Sequence, residues 1–242
     1  MSKGMLNSMM AAWAFNIALV LLANPLAVAD TEWETVKRAS ERGEVATYAR
    51  PVSGSPVNQF KGVMEVPYSM LSAIAVISDV PNFKNWIFNC QGAEKRPEEW
   101  GNEYIHIRID GPWPSRDRDI LVSTHYSQDP ETHIVTVHTQ KAGGILKHQE
   151  GYVRMTHLDN YFFVEPLDDG WTRITFETLV NIGGRIPSWL SNMVSTRAPL
   201  QTLEGLKAQM ARDKYRHATT DMLPPLPGDP DIRFVETELA QE

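Results

Sequence analysis

Apolar and polar residues alternate strictly over residues 103–110, with Ile105, Ile107 and Ile109 on one face and His106 and Arg108 on the other. A period of two is the pattern of a half-buried strand. Runs rich in β-branched and aromatic residues predict further strands over residues 45–50, 58–66, 120–126, 134–139, 152–157, 161–165 and 171–182. Turn signals such as Gln128-Asp129-Pro130 and Asp168-Asp169-Gly170 separate them. Helical spacing appears four times. Trp33, Val36 and Ala39 predict a helix over 31–42 that stops at Gly43, and Ser69 caps a helix over 69–78. Phe83 and Trp86 mark a short helix over 82–88. Ile186-Pro187 opens a long final helix whose broad face holds Leu190, Met193, Val194, Arg197, Leu200, Leu203, Leu206 and Met210, with Pro199 bending it.

Clustered strands bracketed by helices predict an α+β fold rather than a doubly wound sheet. A curved antiparallel sheet of about eight strands wrapped on one long helix leaves a gap between the two layers. That gap is either filled by side chains or kept for a ligand.

Composition narrows the setting. Residues 9–22 are almost wholly apolar, Ala27-Val28-Ala29 supplies small residues at −3 and −1, and Asp30 begins a polar stretch. This is the layout of a signal peptide over residues 1–29, cleaved after Ala29, and it predicts a periplasmic or secreted protein. The alternative is an uncleaved anchor. Against it, the apolar run is shorter than the roughly 20 residues of a membrane span, and Asn24-Pro25 breaks it. Without the leader the chain has 22 basic and 30 acidic residues, a balance that argues against both nucleic acid and anionic membrane as main partners. Cys90 is the only cysteine, so the fold must rest on its apolar core. The ordered domain is expected over residues 30–217. Pro224-Pro225, Pro227-Gly228 and Asp229-Pro230 punctuate an acidic segment over 218–242, which reads as a flexible or wrapping tail.

Catalytic and metal-binding motifs are absent from the sequence. The seven histidines show no metal-ligand spacing. No nucleophile elbow or phosphate loop occurs, and no cofactor is expected. Arg118-Asp119 reads as an ion pair or turn-fixing network that sets the start of a strand. The inward strand faces matter more: Ile105, Ile107 and Ile109; Ile120, Val122, Thr124 and Tyr126; and Phe176 and Thr178. Trp113, between two prolines, and Trp189, Leu190, Met193 and Arg197 of the final helix complete a predicted apolar wall. Thr124, Tyr126 and Thr178 are its polar points.

Over residues 31–213 the chain resembles the steroidogenic-acute-regulatory-related lipid transfer (START) domain family, and in particular exported bacterial members. The resemblance lies in Trp33, residues 45–50, Gly54-Ser55, Phe60-Lys61-Gly62, Asp79-Val80 with Trp86, Pro112-Trp113-Pro114 with Arg118-Asp119, Glu165-Pro166, Thr172-Arg173, Gly183-Gly184-Arg185-Ile186-Pro187 and Asn192. It implies the helix-grip fold and a lipid in a tunnel between sheet and closing helix, with that helix and the loops as a lid. Sterol-binding relatives bury an acidic and a basic residue in the tunnel; here the basic position falls on Thr124 and the acidic one near His106 or Arg108. A carrier of lipid or another apolar small molecule, with transient membrane contact, is therefore the expected function. A cyclase or hydrolase on the same scaffold is the alternative, since fold alone does not decide chemistry. A third reading is an interaction module whose gap is filled by its own side chains. Pro199 and the Gly183-Gly184 loop are the expected moving parts, and the Gly143-Gly144 loop is the substitute.

Overall fold

In the computed structural model the period-two runs pair into one antiparallel sheet. The structure describes residues 32–96, 104–111, 113–143, 146–184, 186, 188–228 and 231–234, with only the backbone of 188–195. The leader expected over residues 1–29 lies outside the described residues. The strands are β1 (Glu34–Lys37), β2 (Ala46–Arg50), β3 (Gln59–Val66), β4 (Cys90–Arg96), β5 (Tyr104–Ile109), β6 (Asp117–Gln128), β7 (Val135–Lys141), β8 (Tyr152–Arg154), β9 (His157–Pro166) and β10 (Thr172–Asn181). Among the described residues three α-helices accompany them: α1 (Met70–Ser78), α2 (Ser188–Met210) and α3 (Asp213–Arg216). The sheet runs β1-β2-β3-β10-β9-β7-β6-β5-β4, and β8 pairs parallel with the start of β6. The fold is α+β of the helix-grip type, an open curved sheet gripping one long helix.

Two expected helices take other forms. Residues 34–37 pair with β2 in register Glu34↔Ala49. Every side chain of β1 is exposed, so a helix there would have no apolar face to bury. Trp33 instead meets two cations, with the Arg50 guanidinium 4.4 Å and Lys61 Nζ 4.2 Å from its ring centre. The short helix expected over 82–88 is a 3₁₀ segment over Val80–Asn85, with Pro81 at its start. The strand Cys90–Arg96 had no alternating pattern to announce it. It is the sheet edge opposite β1, held by its pairing with β5.

Helix α1 starts where the sequence placed it: the Ser69 side chain accepts the Ser72 N–H at 3.2 Å. Two glycines set how closely α2 approaches its neighbours. A Cβ at Gly62 on β3 would stand 2.6 Å from Leu203 Cδ1 and 3.4 Å from the Pro199 side chain. One at Gly205 on α2 would stand 2.5 Å from the Trp86 carbonyl. With only hydrogen at both places, α2 seats directly on β3 and on the 80–88 segment.

The inner face then divides along the length of β9 and β10. At one end Ile174 opposes Val164, and Met64, Val66, Met70, Ile74, Leu203, Leu206 and Met210 join them in a closely packed core with almost no solvent exposure. Toward the other end Phe176 opposes Phe162, Thr178 opposes Asn160, and Val180 opposes Leu158. There the layers separate.

Candidate functional site

The separated half encloses an apolar chamber in which water centres could occupy about 170 Å³. Roughly 10–15 Å³ on that measure admits a single water, so this is a chamber rather than a packing defect. Its sheet wall comprises Ile105, Ile107 and Ile109 of β5, Ile120, Thr124 and Tyr126 of β6, Phe162 of β9, and Phe176 and Thr178 of β10. Phe83, Trp86, Ile87 and Phe88 form another side, and Ala198 and Thr202 of α2 the roof. Phe162 packs against Phe176 at 4.4 Å between ring centres and edge-on to Trp86 at 6.0 Å. Among the described lining residues only Lys95 and Tyr126 are titratable. Lys95 is exposed at the rim, where the chamber shares Ser78, Lys95 and Pro224 with a wider polar depression.

Four uncharged polar residues cross the floor of this chamber in register. Thr124 is paired with Thr139, Thr139 with Asn160, and Asn160 with Thr178, on β6, β7, β9 and β10. The Thr124 and Thr139 hydroxyls are 3.1 Å apart, and Thr178 Oγ1 donates to Asn160 Oδ1 at 2.7 Å. Thr139 and Asn160 did not stand out in the sequence. Asn160 lies just before the run of residues taken as a strand, and neither residue is notable until register aligns the four.

The C-terminal segment supplies the remaining wall. Pro224, Pro225, Leu226 and Pro227 line the chamber. Ser123 is the last residue of β6 in register with the described part of β5. Past it, the Tyr126 N–H donates to the Pro227 carbonyl at 2.7 Å. Gln128 then grips Arg233 twice, Nε2 donating to its carbonyl and Oε1 accepting its N–H, each at 2.7 Å. Ile232 and Phe234 pack against the core. Proline supplies an acceptor and a rigid apolar ring with no donor to leave unpaired, which suits a strap along a dry chamber.

Other sequence-predicted residues sit elsewhere. Val122 is fully buried on the inward face, in register with Ile105, but is not among the residues that line the chamber. Trp113 is 89% exposed, in the loop between β5 and β6, and contributes nothing to the wall. Arg197 is exposed, because the turn of α2 that meets the chamber presents Ala198 and Thr202 instead. The side chains of Trp189, Leu190 and Met193 lie outside the described residues. Pro199 is buried against Gly62 rather than standing at a free hinge.

Arg118 and Asp119 are not paired with each other, since adjacent strand residues point to opposite faces. Arg118, 2% exposed, donates to Ser115 Oγ at 2.7 Å and to the Arg116 carbonyl, fixing the preceding turn. Burial pushes its pKa below the ordinary arginine value. Asp119, fully buried, accepts from Arg154 Nε and Nη2, each at 2.8 Å, and lies 3.1 Å from His106 Nε2. Burial pushes the Asp119 carboxyl up, but the Arg154 and His106 contacts outweigh it and hold the carboxyl below its usual value. This network ties β8 to β6 on the face away from the chamber. Burial pushes the Cys90 thiol up to about 11, which leaves it an inert protonated core residue at neutral pH.

No protein-family model matches the chain. An uncharacterised protein of Pseudomonas aeruginosa is 27% identical over 175 residues, spanning 72% of this chain and 86% of its own length. A STAR-related lipid transfer protein fragment from Xanthomonas axonopodis matches with a TM-score of 0.66 at 24% identity, over 74% of this chain and 99% of that one. Human StAR-related lipid transfer protein 5 matches with a TM-score of 0.64 at 16% identity, over 74% of this chain and 86% of that one. The chain has the fold of the START-related lipid transfer domains.

Proposed function

We propose that the protein binds one lipid-sized apolar molecule and carries it through an exported compartment, periplasmic or extracellular. The observation that carries this reading is the chamber itself: a wall mostly of aliphatic and aromatic side chains, crossed by one uncharged polar row and lined on one side by the proline strap. Each methylene moved from water into such surroundings gains about 0.8 kcal/mol, so a dry chamber holds a hydrocarbon without charged contacts. The lipid transfer proteins that share the fold support the same role. Catalysis would need an acid, base or nucleophile on the wall. Of the titratable groups only Tyr126 and the rim Lys95 line the chamber among the described residues, and His106 and Asp119 lie on the other face of the sheet, which favours a carrier over an enzyme.

A carrier must meet the membranes it serves. Trp113, held out in a loop with 89% of its surface exposed, suits the headgroup region where indole rings settle, and we assign the membrane contact to it. The direct test of the carrier reading is native mass spectrometry of the purified full chain, followed by organic extraction. One apolar compound per chain is the expected result. A protein that retains nothing and leaves Nile red fluorescence unchanged on titration overturns the reading.

A further inference from the structure

We propose that the ligand is an uncharged lipid with one oxygen function, a carbonyl or ester, in the interior of its hydrocarbon skeleton. This rests on the carrier reading above and narrows it to a chemical class. The first support is the position of the polar row. Thr124, Thr139, Asn160 and Thr178 cross the middle of the chamber floor, not one end. Tyr126, Phe162 and Phe176 lie along the strands on one side of the row, and Ile120, Leu158 and Val180 on the other. A ligand along the strands therefore has apolar surface on both sides of whatever meets the row. An amphiphile with a terminal head would leave the row facing methylenes.

The second support is the row's hydrogen-bond inventory. Asn160 Oδ1 accepts from the Thr178 hydroxyl, which leaves Nδ2 with its two N–H groups. Among the described residues Nδ2 has no hydrogen-bond partner. The Thr124–Thr139 pair uses one hydroxyl hydrogen and leaves the other. The row thus offers donors, and an acceptor oxygen answers them. The third support is charge. No Arg, His, Asp or Glu lines the chamber among the described residues, and Lys95 is out at the rim. A carboxylate or phosphate at the row would be buried without a counter-ion, which costs several kcal/mol. A neutral carbonyl answers the donors without that penalty.

The test uses the full chain loaded with Nile red and three competitors of equal carbon count: dioctyl ketone, heptadecane and heptadecanoic acid. Dioctyl ketone should displace the dye at about one-tenth the concentration needed for either of the others, since one satisfied buried donor is worth roughly that factor. Asn160→Leu should abolish the ketone's advantage over heptadecane while leaving heptadecane binding intact. Thr178→Val, which frees the amide to turn, should reduce the same advantage and serves if Asn160→Leu does not fold. Equal displacement by ketone and hydrocarbon, a preference for the acid, or a preference that survives both substitutions overturns the proposal and leaves the carrier reading standing. Failure of the wild-type chain to bind Nile red or any competitor overturns both.

Discussion

Loosening the C-terminal strap should speed ligand exchange without weakening binding. Gln128→Ala removes both hydrogen bonds between Gln128 and Arg233, and leaves the Tyr126–Pro227 bond in place. A net value near 1 kcal/mol per bond is usual, and the Gln128 pair is partly solvent-exposed, so the closed arrangement should lose about 1–2 kcal/mol. That raises the population with the strap displaced by about 5- to 30-fold. Ligand leaving through that opening should leave faster by the same factor. Provided the closed form still dominates, the equilibrium constant barely moves, because entry accelerates equally. Stopped-flow release of Nile red into excess phospholipid vesicles reads the rate, and titration reads the affinity. Truncation after Leu223 removes the prolines from the wall and should cost affinity as well as speeding release. If Gln128→Ala releases dye at the wild-type rate while Gly183→Ala, in the loop beside Ile182, alters it, the strap is a fixed wall and the loop is the gate.

Three further outcomes follow from contacts described above. Gly62→Val places a side chain where Leu203 and Pro199 already stand, and should cost about 1–3 kcal/mol in urea denaturation. Asp119 has a folded pKa below its unfolded value, so its stabilisation is complete above about pH 4 and is lost as pH falls through the folded pKa. Asp119→Asn should cost about 3 kcal/mol at pH 7, at the low end because Arg154 keeps some solvent, and should flatten the acid limb of the stability profile; a profile that keeps its slope would move that limb to Glu65 or Asp79, also held below their usual values. Trp113→Ala should reduce co-sedimentation with vesicles while leaving the melting midpoint and Nile red affinity unchanged, and loss of dye binding in that variant would place the loop at the chamber after all.

The parts of this molecule that were legible in the sequence are those where one face of an element decides its fate. Ile105, Ile107 and Ile109 face inward because period two leaves them no other choice. Trp33, Val36 and Ala39 misled for the opposite reason: their spacing is helical, but residues 34–37 take the backbone hydrogen bonds that the edge of β2 offers, with every side chain of that strand exposed. Strand β4 was silent because Gln91-Gly92-Ala93-Glu94 has no alternation, and its pairing comes from β5. The polar row could not be read at all without register, since its members are spread from residue 124 to residue 178. The strap was obscured by its composition. Proline and acid allow a flexible or a wrapping tail alike, and what tells for wrapping is that Leu223, Leu226, Ile232 and Phe234 recur among them and meet the core.

The division of the inner face into a packed half and a chamber bears on why the fold tolerates the chamber. Wall atoms around a space of about 170 Å³ forgo contacts they would make in a filled core. At about 24 cal/mol per Å³ that costs on the order of 4 kcal/mol, a large fraction of the roughly 5–15 kcal/mol that holds a domain together. The layers do not close over it because their spacing is set at the other end, where Gly62 and Gly205 let α2 seat on β3 and on the Trp86 segment. Collapse onto the chamber would have to break that seating and strip Phe162 from Phe176. The rigid half thus keeps the other half open, and an apolar ligand recovers the contacts that the wall forgoes. Stability and occupancy are then linked: a ligand that fills the chamber should raise the unfolding midpoint with its concentration, as binding to the folded state alone requires, and a ligand confined to the polar depression at the rim should not recover the cavity cost.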